Sequence, residues 1–266
     1  MASITIEQFY KYKNNPDNRV LLTGLDKYID RGPKRKLQHN KHNNQSSWLM
    51  NNKANLSEDD KLVLQITSIL NKLSSNNIEQ LAEEIINLNI NTEDIMVRLV
   101  NTIFNKAISE EKFCSLYAEL TKYLSFYYIE IDEKKIYFRE LMINKCQNMF
   151  SDAISLPQEL EIENNSKFAN KKQVLGSIAY IGELYNHGLL TDKIIFTCFK
   201  LIFMKINLKK AYIIDIMCLL IKSVREKFSK KCHTDYDTCI NHIKSLQTDS
   251  RISQKDKFAI MDILEE

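Results

Sequence analysis

The stretch "SEDDKLVLQITSILNKL", Ser57 to Leu73, decides the fold. Ser57 with Asp60 three residues on is a capping-box-like start, in which a hydroxyl and a carboxylate satisfy the free N–H groups of a first helical turn. Behind it Leu62, Ile66, Ile69, Leu70 and Leu73 fall on one face of a helix. The pattern recurs to the end of the chain. It predicts further helices near 77–90, 92–107, 110–128, 133–150, 167–188, 191–206, 208–229, 233–247 and 251–265. The helices pair, and the first members begin near Ser57, Thr92, Asp132, Thr191 and Cys232, in steps of 35, 40, 59 and 41 residues. Steps of roughly 40 residues are those of HEAT and armadillo arrays, with two stacked helices per repeat. The long third step holds "SDAISLPQELEIENN" (Ser151 to Asn165), with Pro157 and four acids but no base, which reads as a surface loop inside the third repeat. Periodicity alone leaves an unrelated helical bundle as the competing architecture.

Composition narrows the function. Only 5 of the 266 residues are Gly and 3 are Pro. Tight βα turns and phosphate loops consume glycine, so an α/β enzyme fits poorly. The net charge of +3 is uneven: Met1 to Ser47 carries nine bases and four acids, net +5, leaving about −2 for the rest. A basic, largely flexible arm (1–47) on a near-neutral helical body (48–266) suits phosphate or acidic partners. The arm has too little apolar surface to fold alone. No basic start followed by an apolar run marks a secretory leader. No stretch reaches the roughly 18 apolar residues of a membrane span. The six cysteines form no CxxC pair and sit mostly among Leu, Ile and Phe, as small buried hydrophobes of a reducing compartment do. The expected location is cytoplasmic.

Five ordered segments carry a family resemblance. "SILNKLS" (Ser68 to Ser74) is followed by "INLNINTED" (Ile86 to Asp94), "VNTIFNKAISEEKFCSLYAEL" (Val100 to Leu120), "YFRELMINKCQNMF" (Tyr137 to Phe150) and "LGSIAYIGELYNHGLLT" (Leu175 to Thr191). With the closing "SRISQKDKFAIMDILEE" (Ser250 to Glu266), they resemble the middle domain of eukaryotic initiation factor 4G over roughly Trp48 to Glu266. The resemblance implies an all-α HEAT-repeat solenoid, a crescent of about five antiparallel helix pairs. It implies a scaffold that binds RNA and a DEAD-box helicase of the factor 4A type, holding the helicase's two lobes for closure. Asp256 departs from the family, which usually has an apolar residue there. The family's Tyr-x-x-x-x-Leu-Φ motif for the cap-binding factor 4E is not matched in the N-terminal arm: Tyr12 stands nine residues from Leu21 rather than five, and Tyr10 and Tyr28 do not fit either. Tyr12, Leu21 and Leu22 are the residues an unorthodox contact with factor 4E would use.

The resemblance also assigns candidate contact residues. Trp48 stands where a tryptophan precedes the family's first repeat and implies an anchor for a helicase lobe; packing on the first helix is the alternative. Asn71 and Lys72 of the first motif, Phe138, Arg139, Asn144 and Gln147 of the fourth, Glu183 of the fifth, and Lys255, Lys257, Phe258 and Asp262 of the last complete the helicase set. Gly182 in the fifth motif permits close helix packing. For RNA the candidates are Lys34, Arg35, Lys36, Lys171, Lys172, Lys209 and Lys210, since basic clusters track phosphates. Cys232, His233, Cys239 and His242 form the one metal-like cluster, but their spacing is looser than a zinc site's, and no metal or other cofactor is expected. No Walker A loop and no Ser-His-Asp or Cys-His set is present, so the chain is expected to be no enzyme. The expected function is a translation-initiation scaffold. A decoy or repressor of the same helicase, or an RNA-processing adaptor of the same fold, are the alternatives.

Overall fold

Ser57 opens the first helix as its spacing predicts. Its hydroxyl oxygen accepts from the Asp60 backbone N–H at 3.1 Å and donates to the Asp60 carboxylate at 2.8 Å. The other Asp60 oxygen takes a 2.7 Å bond from Arg98, which ties this helix start to the next repeat. The structure is a computed structural model that describes residues 57–88, 90–155, 166–206 and 212–265. The chain divides into two units, Met1–Asn55 and Leu56–Glu266, and every element below belongs to the second.

Ten α-helices occur among the described residues. They are α1 (Glu58–Leu70), α2 (Ile78–Ile86), α3 (Glu93–Ser109), α4 (Cys114–Tyr123), α5 (Phe138–Ser155), α6 (Ser166–Asn186), α7 (Asp192–Ile206), α8 (Ile213–Lys231), α9 (His233–Leu246) and α10 (Gln254–Glu265). Each odd-numbered helix packs on the even-numbered helix after it. The odd helices also pack on one another in sequence, α1 to α9, and the even helices do the same, α2 to α10. Two layers built from successive pairs are a HEAT-type solenoid, which the repeat spacing predicts and a bundle would not show. No helix among the described residues is long and apolar enough to cross a membrane.

The two layers seal a continuous core. Ile66, Ile103, Phe104, Tyr180, Phe199 and Phe228 are fully enclosed. Aromatic rings meet across the helices: Phe104 lies edge-on to Tyr180 at 5.7 Å, and Phe199 stacks on Phe228 at 6.3 Å. The buried Tyr180 and Thr121 hydroxyls share a 2.7 Å hydrogen bond, so neither is left unsatisfied between α4 and α6. The closest approach is at Gly182, where an added Cβ would stand 2.5 Å from the Ser223 Cβ of α8. Beyond the C-terminal end of α6, Gly188 takes φ +85°. It donates to the Tyr185 carbonyl while Leu189 donates to Leu184, a Schellman stop that turns the chain toward α7.

Three sequence expectations need correction. A helix over 133–150 is expected, but α5 begins at Phe138, and Tyr128–Ile131 (β1) and Lys134–Tyr137 (β2) form an antiparallel hairpin. The expected helix 110–128 contracts to α4, flanked by 3₁₀ turns at Glu111–Phe113 and Leu124–Phe126. In "YIEIDEKKIY" Ile129 and Ile136 alternate with charged and tyrosine residues and are the buried positions, a period of two rather than 3.6. The acidic loop also starts later than expected, because α5 continues to Ser155. Residues 156–165 lie outside the described residues.

The hairpin turn yields the first prediction. Its two central residues, Asp132 and Glu133, have φ of 49° and 63°, the left-handed region that costs an L-residue roughly 1–2 kcal/mol. Two-residue hairpins favour Asp-Gly there. Glu133→Gly is therefore expected to stabilise the domain by about 0.5–1 kcal/mol, the entropy of the added glycine offsetting part of the gain. Thermal denaturation checks this. A lower melting temperature in the variant would refute the assignment of strain to this turn.

Candidate functional site

The last repeat presents exposed apolar side chains on its final helix. Ser253 caps α10, accepting from the Asp256 N–H at 3.2 Å and donating to the Asp256 carboxylate at 2.7 Å. Asp256 thus stands at the third helical position with its carboxylate on the cap's hydroxyl, a capping-box-like start, and this gives a local reason for a carboxylate in place of an apolar residue. Arg225 of α8 donates to the Ile263 carbonyl near the other end of α10, and the Cys218 thiol approaches the Ala259 carbonyl at 3.9 Å. Ile260 and Ile263 face inward and are buried. The opposite face carries Phe258 and Met261, 53% and 41% exposed, one helical turn apart. Lys255 and Asp262 are exposed around them, and Lys257 is half-buried. An aromatic centre with a charged rim is the anatomy of a protein contact.

The first repeat carries the second cluster. Asn71 caps the C-terminal end of α1 and is exposed. The exposed Lys72 lies 4.0 Å from Glu84 of α2, too loose and too wet a pair to fix the ammonium. Asn71 and Lys72 therefore sit in the first helix pair, and the α10 residues sit in the fifth.

The middle candidates separate. Phe138 is fully enclosed, so the expectation of a partner contact there is corrected: its ring packs the core where α5 leaves the hairpin. Arg139 is exposed, and its guanidinium donates to the Leu189 carbonyl at 3.2 Å. Asn144 and Gln147 are exposed on α5. Gln147 edges a cavity of about 330 Å³ between α5 and α7, floored by Ile143, Phe150, Ile194 and Leu201. Glu183 is half-buried, with its carboxylate 3.9 Å from His187 Nε2. His187 Nε2 also lies 3.1 Å from the Ser115 hydroxyl.

Of the RNA candidates, Lys171 is largely spent inside the fold. Its ammonium pairs with Asp215 of α8 at 2.6 Å and lies 4.9 Å from the centre of the Tyr212 ring. It braces α6 against α8, while the exposed Lys172 remains on the rim of a cavity of about 390 Å³. Trp48, Lys34, Arg35, Lys36, Lys209, Lys210, Tyr12, Leu21 and Leu22 lie outside the described residues.

The metal-like cluster is dispersed. Cys239 is fully enclosed, His233 is exposed beside Asp237, and His242 stacks on Phe203 at 4.1 Å. Burial pushes the Cys239 thiol up to about 12, as it does those of Cys114, Cys146, Cys198 and Cys218.

The sequence reading missed the surface beside the hairpin. Lys122, Phe126, Tyr128, Tyr137 and Arg139 line a hollow of about 530 Å³ there. Among them only Arg139 is a sequence candidate. The alternation in "YIEIDEKKIY" is the signal that locates it.

Comparison with known proteins gives one consistent family. Residues 63–265 match the model of the MIF4G domain. The chain is 29% identical over 219 residues to eukaryotic translation initiation factor 4G of Triticum aestivum, covering 76% of this chain and 15% of that protein. It is 32% identical over 154 residues to zinc finger CCCH domain-containing protein 43 of Oryza sativa subsp. japonica, covering 53% of this chain and 22% of that protein. The chain thus spans less than a quarter of either relative. The crystal structure of the MIF4G domain of Trypanosoma cruzi translation initiation factor EIF4G5 superposes with a TM-score of 0.51 at 19% identity, covering 77% of this chain and 94% of that one.

Proposed function

This chain belongs to the MIF4G domain family, and on that premise we propose that it is a translation-initiation scaffold that holds a DEAD-box helicase of the factor 4A type, together with RNA, and favours the helicase's closed state. The observation that carries the reading is the apolar face of α10, Phe258 with Met261, on the last repeat of the stack. A half-exposed phenylalanine ringed by Lys255, Lys257 and Asp262 suits one helicase lobe. Asn71 and Lys72 offer a second contact to the other lobe, and the resemblance adds Trp48 as a separate candidate anchor. Asn144, Gln147 and Glu183 lie between and are weaker contributors.

The mechanism is geometric. A DEAD-box helicase acts when its two lobes close around ATP and RNA. A body that grips both lobes restricts their relative motion before closure, lowering the entropic part of that step. Two modest contacts on one rigid body also reinforce each other through effective concentration. The chain itself catalyses nothing. The test is the RNA-dependent ATPase rate of a factor 4A-type helicase with and without this protein. A rise supports the scaffold. Binding without a rise makes it a decoy, and no binding at micromolar concentration refutes both. Trp48→Ala is expected to weaken the complex by about 2 kcal/mol with helical content intact. Unchanged affinity by calorimetry would remove Trp48 from the interface.

A relative that is not named as an initiation factor, the zinc finger CCCH protein, keeps a second reading in view, an RNA-processing adaptor of the same fold. Nuclear accumulation, with no effect on a factor 4A-type helicase, would select it. Contact with the cap-binding factor 4E through Tyr12, Leu21 and Leu22 is an addition to the first reading and is tested by co-precipitation with the cap-binding factor.

A further inference from the structure

The hairpin between α4 and α5 turns its aromatic residues outward. Ile129 and Ile136 pair across the strands and are buried against the stack. The alternation therefore sends Tyr128 and Tyr137, the next cross-strand pair, to the other face. Their rings lie 5.3 Å apart, and the Lys135 ammonium stands 4.7 Å from the centre of the Tyr128 ring. The hairpin is seated, because the Phe138 N–H donates to the Tyr127 carbonyl at 3.0 Å where β2 runs into α5. Just before β1, Phe126 ends a 3₁₀ turn with 86% of its surface in water. Among the described residues no aromatic or cation contact involves that ring.

The charges around these rings are mixed by position. Glu130 is the cross-strand neighbour of Lys135, so one charge of each sign stands on this face of the hairpin. Asp132 and Glu133 are at the turn, at the far end of the hairpin from Tyr128 and Tyr137. In the hollow itself Lys122 and Arg139 outnumber one carboxylate, Glu140. Lys227, bonded to the Tyr185 and Asn186 carbonyls at the adjoining end of α6, adds to the positive field. Burial first, then the ammonium groups of Lys231 and Lys122, push it below its ordinary range, with Asp192 opposing.

Exposed aromatic faces set among cations match a ligand of flat bases on an anionic backbone. We propose that this hollow is a single-stranded RNA platform. One base stacks on Phe126 and its neighbour meets the Tyr128–Tyr137 pair. The intervening phosphate lies against Lys122 and Arg139, and Glu140 accepts from a base N–H. A duplex keeps its bases stacked and offers no faces to Phe126, so the platform selects single strands. The proposal rests on the reading that RNA is a partner. It moves a main contact away from the basic clusters to a surface where stacking, not charge alone, holds the strand.

The experiment measures binding of the full chain to a short labelled oligouridylate and to a duplex of equal length, across a salt series. Wild type is expected to favour the single strand. Phe126→Ala is expected to weaken it about ten-fold with the salt slope unchanged, since stacking releases no counterion. Lys122→Gln is expected to lower the slope by about 0.7, the value for one phosphate contact on a single strand. Ultraviolet crosslinks should map to Phe126 or Tyr128. If wild type binds and neither variant changes it, the platform is refuted while the RNA reading stands. Equal affinity for the duplex also refutes it. If wild type binds no RNA, the broader reading falls too. If Phe126→Ala loses helicase but not oligonucleotide, the surface is a protein contact and the proposal is overturned. Circular dichroism on both variants confirms that the fold is kept.

Discussion

Gly182→Leu lowers the stability of the helical unit by at least about 3 kcal/mol. The site decides the sign. In a helix, alanine is favoured over glycine by about 1 kcal/mol, so Gly182→Ala would stabilise if there were room. There is none: the first added carbon meets the Ser223 Cβ at 2.5 Å, well inside ordinary contact. The backbone of α6 must move off α8, and overpacking of this kind costs about 1–3 kcal/mol for a single group and more for a branched chain. The contact is between two helices deep in the even layer, so no flexible side-chain tip can yield. For a unit of this size the loss corresponds to a fall of roughly 6–12 °C in melting temperature. Ser223→Gly supplies the control. It removes the obstructing carbon, so the pair Gly182→Ala with Ser223→Gly should recover most of what Gly182→Ala alone loses, in a double-mutant cycle. Additive losses would show that the close approach is not the cause.

On the proposed scaffold reading, Phe258→Asp is expected to abolish stimulation of the helicase while leaving the fold intact. Phe258 is 53% exposed, and the buried side of α10 is made by Ile260 and Ile263, so the substitution removes little packing. At the centre of a contact an aromatic side chain contributes at least about 2 kcal/mol, a loss of roughly 30-fold in affinity, and a carboxylate in its place adds a desolvation penalty. Calorimetry and ATPase rate measured on one preparation give both quantities. Retained affinity with an unchanged rate would exclude α10 as a contact. Asp256 is a useful contrast. Asp256→Ile would remove the partner of the Ser253 hydroxyl and cost about 1 kcal/mol of helix capping. Any effect of that variant on the helicase must first be separated from a frayed helix start.

The large features were legible in the sequence for simple reasons. Buried apolar residues at helical spacing and a period near 40 leave few architectures open, and Ser57 with Asp60 marks its helix start correctly. Gly182 was legible as a close approach because a glycine within a helix is costly without a packing reason. The hairpin was not, because its alternation spans only two four-residue strands set directly between helical patterns, so it is easily absorbed into the helices on either side. Phe138 was misread for a related reason: at a strand-to-helix junction the face a residue presents depends on where the helix begins, and the expected start was displaced by five residues, from 133 to 138. Side-chain exposure in the middle repeats was open in the same way. Arg139, Asn144 and Gln147 read alike as polar residues on a helix. Only the fold distinguishes the guanidinium bound to Leu189 from the amide at the mouth of an apolar groove.

The two-layer stacking has a further consequence. Because each pair packs on the pairs beside it, the ends of the unit and its middle are not equivalent. Losing α1 and α2, or α9 and α10, shortens the stack and leaves the other interfaces untouched. Losing α6, which touches α3, α4, α5 and α8, would break the even layer and leave the two halves joined only through the odd layer, where α5 packs on α7. Breathing therefore begins at the termini, and the proposed helicase grips are on the repeats that open most readily. A partner holding both ends would act as a clasp on the scaffold, suppressing that fraying while the scaffold orders the partner.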